Sequence, residues 1–159
     1  MSGRVVVGVI SDTHGLLRPE ALAALADSDR VIHAGDVGDE EILQALRAIA
    51  PLTVVRGNVD VQAWSLKLPH GDMLEVGGVR IYVVHDLGTL DIVPASAGVS
   101  VVVYGHSHHP DQFTRGGVTY FNPGSAGPRR FRLPVTVGRI EVENGRASAK
   151  IVALSLDDD

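Results

Sequence analysis

The stretch RVVVGVISDTHG, residues 4–15, decides how the rest of the chain is read. It begins as a short, valine-rich apolar run and stops abruptly at Ser11-Asp12. Such a run, bounded by polar residues and glycine, reads as a buried strand. Residues 30–34 (RVIHA) and 52–56 (LTVVR) repeat the pattern. Helical segments lie between them. Residues 19–26 open on Pro19, which suits a first helical turn, and put Leu22, Leu25 and Ala26 on one face. Residues 40–50 carry Ile42, Leu43, Leu46, Ile49 and Ala50 at helical spacing, and Pro51 ends the helix. Strand, helix, strand, helix, strand predicts a parallel sheet covered by helices.

The second half changes character. Residues 72–76 and 79–84 flank Gly77-Gly78, a hairpin signal. Residues 99–104 read as another buried strand, and Gly116-Gly117 separates two more candidates. Residues 135–142 and 147–154 flank Asn144-Gly145, a strong hairpin dipeptide. Residues 89–97 are expected to form a short helix, and residues 157–159 a frayed acidic tail. The half reads as mainly antiparallel, and two packed sheets with helices outside would use all of it. No linker or repeat interrupts the sequence, so residues 1–159 are expected to form a single domain.

Composition narrows the function. The chain is 45% hydrophobic but only 4% aromatic, so its core is expected to be aliphatic. It has no cysteine, which excludes disulfides, thiolate metal sites and cysteine nucleophiles and fits a cytoplasmic protein. A net charge of −5 disfavours a grip on long nucleic acid, which rests on Lys and Arg. The apolar stretch near the start is too short for a signal-peptide core or a membrane span. A soluble protein acting on a small molecule is expected.

Polar residues at the strand ends then fall into a pattern. Asp12 and His14 follow the first strand, Asp36 the second and Asn58 the third. His85 follows the strand at 79–84. The segment VVVYGHSHHP, residues 101–110, puts His106 and His108 after the next strand. Five buried strands thus each end in a metal-capable side chain, and ligands of open α/β sheets bind at the carboxyl ends of strands. Three oxygen donors and four imidazoles are too many for one transition metal and suit two. A nitrogen and oxygen set without thiolate fits Mn²⁺, Fe²⁺, Zn²⁺, Ni²⁺ or Co²⁺. Two metals a few ångströms apart are the arrangement of phosphatases and nucleases.

The set Asp12-x-His14, Gly35-Asp36-x-x-Asp39, Gly57-Asn58-x-Asp60, His85 and Gly105-His106-x-His108 resembles the calcineurin-like metallophosphoesterases. Asn122 to Ser125 (NPGS) is similar to the YfcE-type small phosphodiesterase branch, which includes archaeal homologues and the retromer subunit sharing the fold. The resemblance implies an α/β fold, a four-layer α/β/β/α sandwich of two mixed β-sheets flanked by helices. It implies one metal held by Asp12, His14, Asp36 and His108 and a second by Asp36, Asn58, His85 and His106, with Asp36 bridging. Mn²⁺ is the first expectation. The implied reaction is hydrolysis of a small phosphodiester by in-line attack of a metal-bound hydroxide bridging the pair, with Asp36, Asn58 and His106 as the catalytic residues.

Two departures matter. Many family members carry a proton-donating histidine after Gly-Asn, where this chain has Val59. Valine donates no proton, so modest rates and good leaving groups are expected. Many members read His-Gly where this one reads His85-Asp86; Asp86 either orients an imidazole or starts the loop.

Other residues carry plainer expectations. His33 reads as a hydrogen-bonded core histidine facing away from the ligand set, and His70 and His109 as surface or rim residues. Asp39 reads as a helix N-cap, Asp60 as the anchor of the Asn58 loop. Gly35, Gly57 and Gly105 let the backbone turn sharply beside the metals, or are plain turns. Asn122 and Ser125 orient phosphate or form a turn. Arg129, Arg130 and Arg132 form a solvated cluster or meet a substrate phosphate. Trp64, the only tryptophan, packs in the core, stacks on a base or supports a homo-oligomer contact. The competing functions are a non-catalytic protein-binding scaffold of the same fold, a phosphomonoesterase and a nuclease. An intact ligand set argues against the first, Val59 against the second and the acidic charge against the third.

Overall fold

The structure, a computed structural model, describes residues 3–130 and 132–156; the acidic tail expected at 157–159 lies outside the described residues. Strands β1 (Val5–Ile10), β2 (Arg30–His33) and β3 (Leu52–Val54) pair in parallel, with helices α1 (Pro19–Leu25) and α2 (Glu40–Arg47) in the crossovers. The last hairpin, β9 (Thr136–Glu143) and β10 (Arg146–Ala153), joins this sheet antiparallel to β1, giving the order β10-β9-β1-β2-β3. Asn144 and Gly145 both take positive φ, 55° and 73°, as a tight hairpin turn requires.

A second sheet has the order β4-β5-β6-β8-β7, from β4 (Gly71–Val76), β5 (Val79–Val84), β6 (Val99–Val103), β7 (Asp111–Arg115) and β8 (Val118–Asn122). The hairpins at Gly77-Gly78 and Gly116-Gly117 form where expected. The sheet is mixed rather than mainly antiparallel, because β5 with β6 and β6 with β8 run parallel. Among the described residues no helix is long and apolar enough to cross a membrane.

Alternation along the strands divides the core into three parts. Val7, Val9, Ile32, Ile81, Val83, Val101, Val103, Phe121 and Ile140 fill the space between the sheets. Ile10, Val31, Val54 and Val137 face the other way and meet Leu25, Ile42, Leu43 and Leu46 of the helices. Val84, Val102, Tyr104 and Tyr120 line the outer face of the second sheet. Burial on this scale supplies most of the stabilisation, at about 25 cal/mol per Å² of apolar surface.

The helix expected at 89–97 does not form. A 3₁₀ turn at Leu87–Thr89 and a turn closed by Ala97 N–H on the Pro94 carbonyl (3.1 Å) take its place. Pro94 brings no N–H to a helix interior, and Ile92 and Val93 disfavour one. The apolar signal was nevertheless real: Leu87, Leu90, Ile92 and Ala97 pack on the outer face of the second sheet and form the fourth layer.

Candidate metal centre

All five strand ends singled out in the sequence open on one edge of the sandwich. The β1 and β2 loops are zipped together by Asp12 N–H on Gly35 O (3.0 Å), His14 N–H on Asp36 O (2.9 Å) and Gly15 N–H on Val37 O (2.8 Å). Asp12, His14, Asp36, His106 and His108 all have positive φ, from 46° to 76°. Left-handed conformations are uncommon for side-chain-bearing residues and cost about 1–3 kcal/mol each. Among the described residues, Asn144 in its hairpin turn is the one other non-glycine residue with positive φ. The strain is concentrated where the chemistry-bearing side chains are aimed.

Asp60 opposes much of that strain. It is fully buried and anchors more than the Asn58 loop. One carboxylate oxygen accepts from Asp36 N–H (2.9 Å) and Gly57 N–H (2.8 Å), the other from Val37 N–H (2.9 Å) and Gly38 N–H (3.3 Å). The glycines act differently from one another. Gly35 has φ 105°, as a sharp turn requires. Gly57 and Gly105 are required by close approach instead: a Cβ on Gly57 would collide with Asp36 Oδ1 and N, and one on Gly105 with Ser11 Oγ and Asp12 Oδ2.

The seven predicted side chains come together in two groups. Ligand atoms of Asp12, His14 and His108 lie within 4.8 Å of one another, as do those of Asp36, His85 and His106. His14 Nε2 and His108 Nε2 are 3.3 Å apart, with the rings stacked. Asp36 Oδ2 reaches both groups, 3.7 Å from His14 Nε2 and 3.2 Å from His85 Nε2. Asn58 Oδ1 sits 3.0 Å from His85 Nε2 and 3.1 Å from His106 Nδ1.

The surroundings decide which atoms face inward. Asp12 Oδ2 accepts from the Ser11 hydroxyl (2.7 Å) and His106 N–H (3.1 Å). Asp12 Oδ1 is left buried with no hydrogen-bond partner, 3.5 Å from His108 Nε2 and 3.7 Å from His14 Nε2. Asp36 Oδ1 accepts from Val59 N–H (3.0 Å), which leaves Oδ2 for the centre. His85 donates from Nδ1 to the Ala34 carbonyl (2.7 Å), so Nε2 presents its lone pair inward. An orphaned buried carboxylate oxygen is costly, and one aimed among imidazole nitrogens is what a cation would satisfy. The donor set fits divalent transition metals.

Electrostatics agree. Burial pushes the Asp12 carboxyl up, but His14, His85, Ser11 and His108 together outweigh it and hold it below its ordinary value. Burial likewise opposes ionisation of Asp36, and His85, Val59 N–H and His14 bring it below the usual range. Burial disfavours the His85 cation, yet Asp36, Asp12 and the Ala34 carbonyl raise its pKa. Burial lowers that of His108, aided by Arg130 and His14 against the pull of Asp12. Two carboxylates thus stay ionised among the imidazoles.

His33 is the core histidine expected. Fully buried, it accepts at Nδ1 from Gly35 N–H (3.1 Å) and donates at Nε2 to Thr13 Oγ1 (2.9 Å), whose hydroxyl donates to Val37 O (2.8 Å). It ties the β1 loop to the β2 loop behind the candidate ligands. Burial drives its pKa down to about 4. The unfolded chain, with an ordinary value near 6.5, takes the proton first, so His33 stabilises fully above pH ~6.5 and loses that contribution as pH falls toward 4, up to about 3 kcal/mol. Urea midpoints of wild type and His33→Gln across this window are expected to converge as pH falls. Parallel curves would refute the assignment.

The remaining candidates resolve individually. Asp39 caps α2 through Glu41 N–H (3.0 Å). Asp86 starts its loop, accepting from Gly88 N–H (2.9 Å), and is not seen orienting an imidazole. His70 and His109 are exposed. Asn122 braces the histidine loop by donating to Gly105 O (3.1 Å) and Ser107 Oγ (3.1 Å), while Ser125 donates to Asp12 O (3.0 Å). Both therefore buttress the site rather than face its opening. Arg129, Arg130 and Arg132 are exposed, and Trp64 packs partly buried beside the helix-side core. Sequence reading missed Ser11 as the partner of Asp12; a hydroxyl next to a ligand was its only signal.

Two aliphatic-cored sheets carry a cluster of carboxylates and imidazoles at their strand ends, an α/β sandwich with a candidate metal centre on one edge. The sequence matches the calcineurin-like phosphoesterase superfamily domain over residues 5–145, and the chain belongs to that family. It is 33% identical to a protein of Methanocaldococcus jannaschii named as a probable metallophosphoesterase, over 97% of this chain and 84% of the relative. Its fold is shared by a novel archaeal phosphodiesterase (TM-score 0.76, 22% identity, 93% of this chain and 100% of the other). The fold is likewise that of Vacuolar Protein Sorting 29 from Cryptosporidium parvum (TM-score 0.75, 19% identity, 96% of this chain and 99% of the other).

Proposed function

We propose that the protein hydrolyses a small phosphodiester at two divalent cations, Mn²⁺ first among them. Asp12, His14, Asp36 and His108 would hold one, and Asp36, Asn58, His85 and His106 the other. The observation that carries this is the convergence of seven donor side chains from five strand ends into two adjoining groups, one of them containing the orphaned Asp12 Oδ1. Cations bound there supply a water that ionises near neutral pH and positive charge for the phosphoryl oxygens.

The chain's own residues do the rest. Asp36 offers a single free oxygen to both groups. Asn58 contributes a neutral carbonyl, which limits repulsion of an anionic diester. His106 lines the exposed side of the site, where phosphate enters, and Ala34 O fixes the ring of His85. Val59 is 44% exposed at the rim and gives the departing alcohol no proton, which favours esters with good leaving groups. The cysteine-free sequence supports a cytoplasmic setting for this activity.

The test is metal-stripped protein assayed with and without Mn²⁺ on bis(p-nitrophenyl) phosphate beside p-nitrophenyl phosphate. Metal-dependent cleavage of the diester in preference to the monoester is expected. Preference for the monoester would replace this reading with a phosphomonoesterase, and no turnover with any divalent metal would replace it with a binding scaffold. Val59→His adds a donor at the rim. It is expected to raise kcat on alkyl esters with poor leaving groups by up to about 10²-fold and to leave p-nitrophenyl esters little changed.

A further inference from the structure

Beside the second ligand group lies a cavity of about 230 Å³, lined by Arg56, Asn58, His70, His85, Asp86 and Thr89. It opens directly onto two of the proposed ligands and is too small for a drug-sized molecule, whose pockets span about 300–1,000 Å³. It suits one substituent of an ester whose phosphate sits at the centre. Its wall is built in advance. Arg56 N–H donates to Pro69 O (2.8 Å), which sets His70 across from the β3 loop, and Arg56 Nε donates to Asp60 O (3.1 Å), which fixes the guanidinium. The Asp86 carboxylate is held by Gly88 N–H (2.9 Å), and Thr89 donates from Oγ1 to the Asp86 carbonyl (2.7 Å).

The lining balances one cation, Arg56, against one anion, Asp86. A second phosphate or carboxylate would be drawn to one and repelled by the other. An apolar group would strip water from the guanidinium and the carboxylate without offering either a hydrogen bond in return. A neutral group bearing several hydroxyls both donates to Asp86 and His70 and accepts from Arg56.

We infer that this cavity is the subsite for one ester substituent of the substrate, a small uncharged polyol of glycerol or pentose size, bound by Arg56, His70 and Asp86. The inference rests on the phosphodiesterase reading above. Its test compares glyceryl p-nitrophenyl phosphate with methyl p-nitrophenyl phosphate in the Mn²⁺-loaded protein. The ratio of their kcat/KM values is expected to favour the glyceryl ester about tenfold or more. His70→Leu and the cavity-filling Thr89→Phe are expected to bring that ratio close to one. A general loss of folding or metal would lower both rates and leave the ratio standing. In the metal-free protein, NMR titration with glycerophosphoglycerol is expected to shift the His70 and Thr89 resonances, and dimethyl phosphate is not. Cleavage of both esters at a ratio near one, or a ratio unmoved by both variants, overturns the subsite while the diesterase reading survives. Cleavage of neither ester withdraws both.

Discussion

Asp36→Asn is expected to lower metal-dependent diester hydrolysis by more than about 10²-fold, exceeding the loss typical when only a partner of a ligand is changed. The substitution is nearly isosteric, so the argument turns on two atoms. Val59 N–H already occupies Oδ1, and an asparagine keeps that bond by turning its carbonyl toward Val59. Its amide group then points into the centre, placing a donor where Oδ2 stood, 3.2 Å from His85 Nε2 and 3.7 Å from His14 Nε2. Neither cation finds a ligand there, and both groups lose their shared oxygen. The bound-metal stoichiometry, read by elemental analysis after dialysis, should fall together with activity, while the circular dichroism spectrum stays that of wild type. Full metal content with full activity would show that Asp36 bridges nothing.

Asp60→Ala should be strongly destabilising, although Asp60 belongs to neither candidate ligand group. It strands four backbone N–H groups, those of Asp36, Val37 and Gly57 in buried positions and that of Gly38 in a partly buried one. Hydrogen bonds to a charged acceptor contribute roughly 1.5–3 kcal/mol each, with imperfect additivity, so a loss of at least about 4 kcal/mol is expected. The strained Asp36 loses its restraint at the same time. Urea unfolding of the metal-free protein measures the effect without interference from metal binding. A loss under about 1 kcal/mol would mean that the loop is held by something else.

Much of this was legible in the sequence because two signals coincide. Continuous apolar runs mark strands buried on both faces, and the polar side chains that follow shortly after each are carried to the same edge by the topology. That is why Asp12, Asp36, Asn58, His85 and His106 could be picked out without coordinates. The expected helix at 89–97 failed because burial alone produced its apolar spacing, and Pro94 blocks a helix there. The clamp of Asp60 on the Asp36 loop was only half visible, since sequence gives no sign of which backbone a buried carboxylate will face. The left-handed backbone at five candidate ligand positions was invisible, because residues other than glycine carry no mark of it.

The sheet order also has a consequence for how the protein comes to be made. Strand β1 lies between β2 and β9, pairing Val5 with Val142 and Val9 with Gly138. Its first neighbour, from Arg30, emerges from the ribosome soon after it, and its second only once Thr136 and beyond have been made. Asp12 and His14 therefore wait on their loop, braced later by Ser125, until the final hairpin closes the sheet. Pairings so distant along the chain carry a large loop-closure cost and fold slowly. Nascent chains arrested before residue 136 should thus hold the valine-rich β1 edge open to chaperones, and the loop carrying Asp12 and His14 should mature only after β9 has emerged and paired.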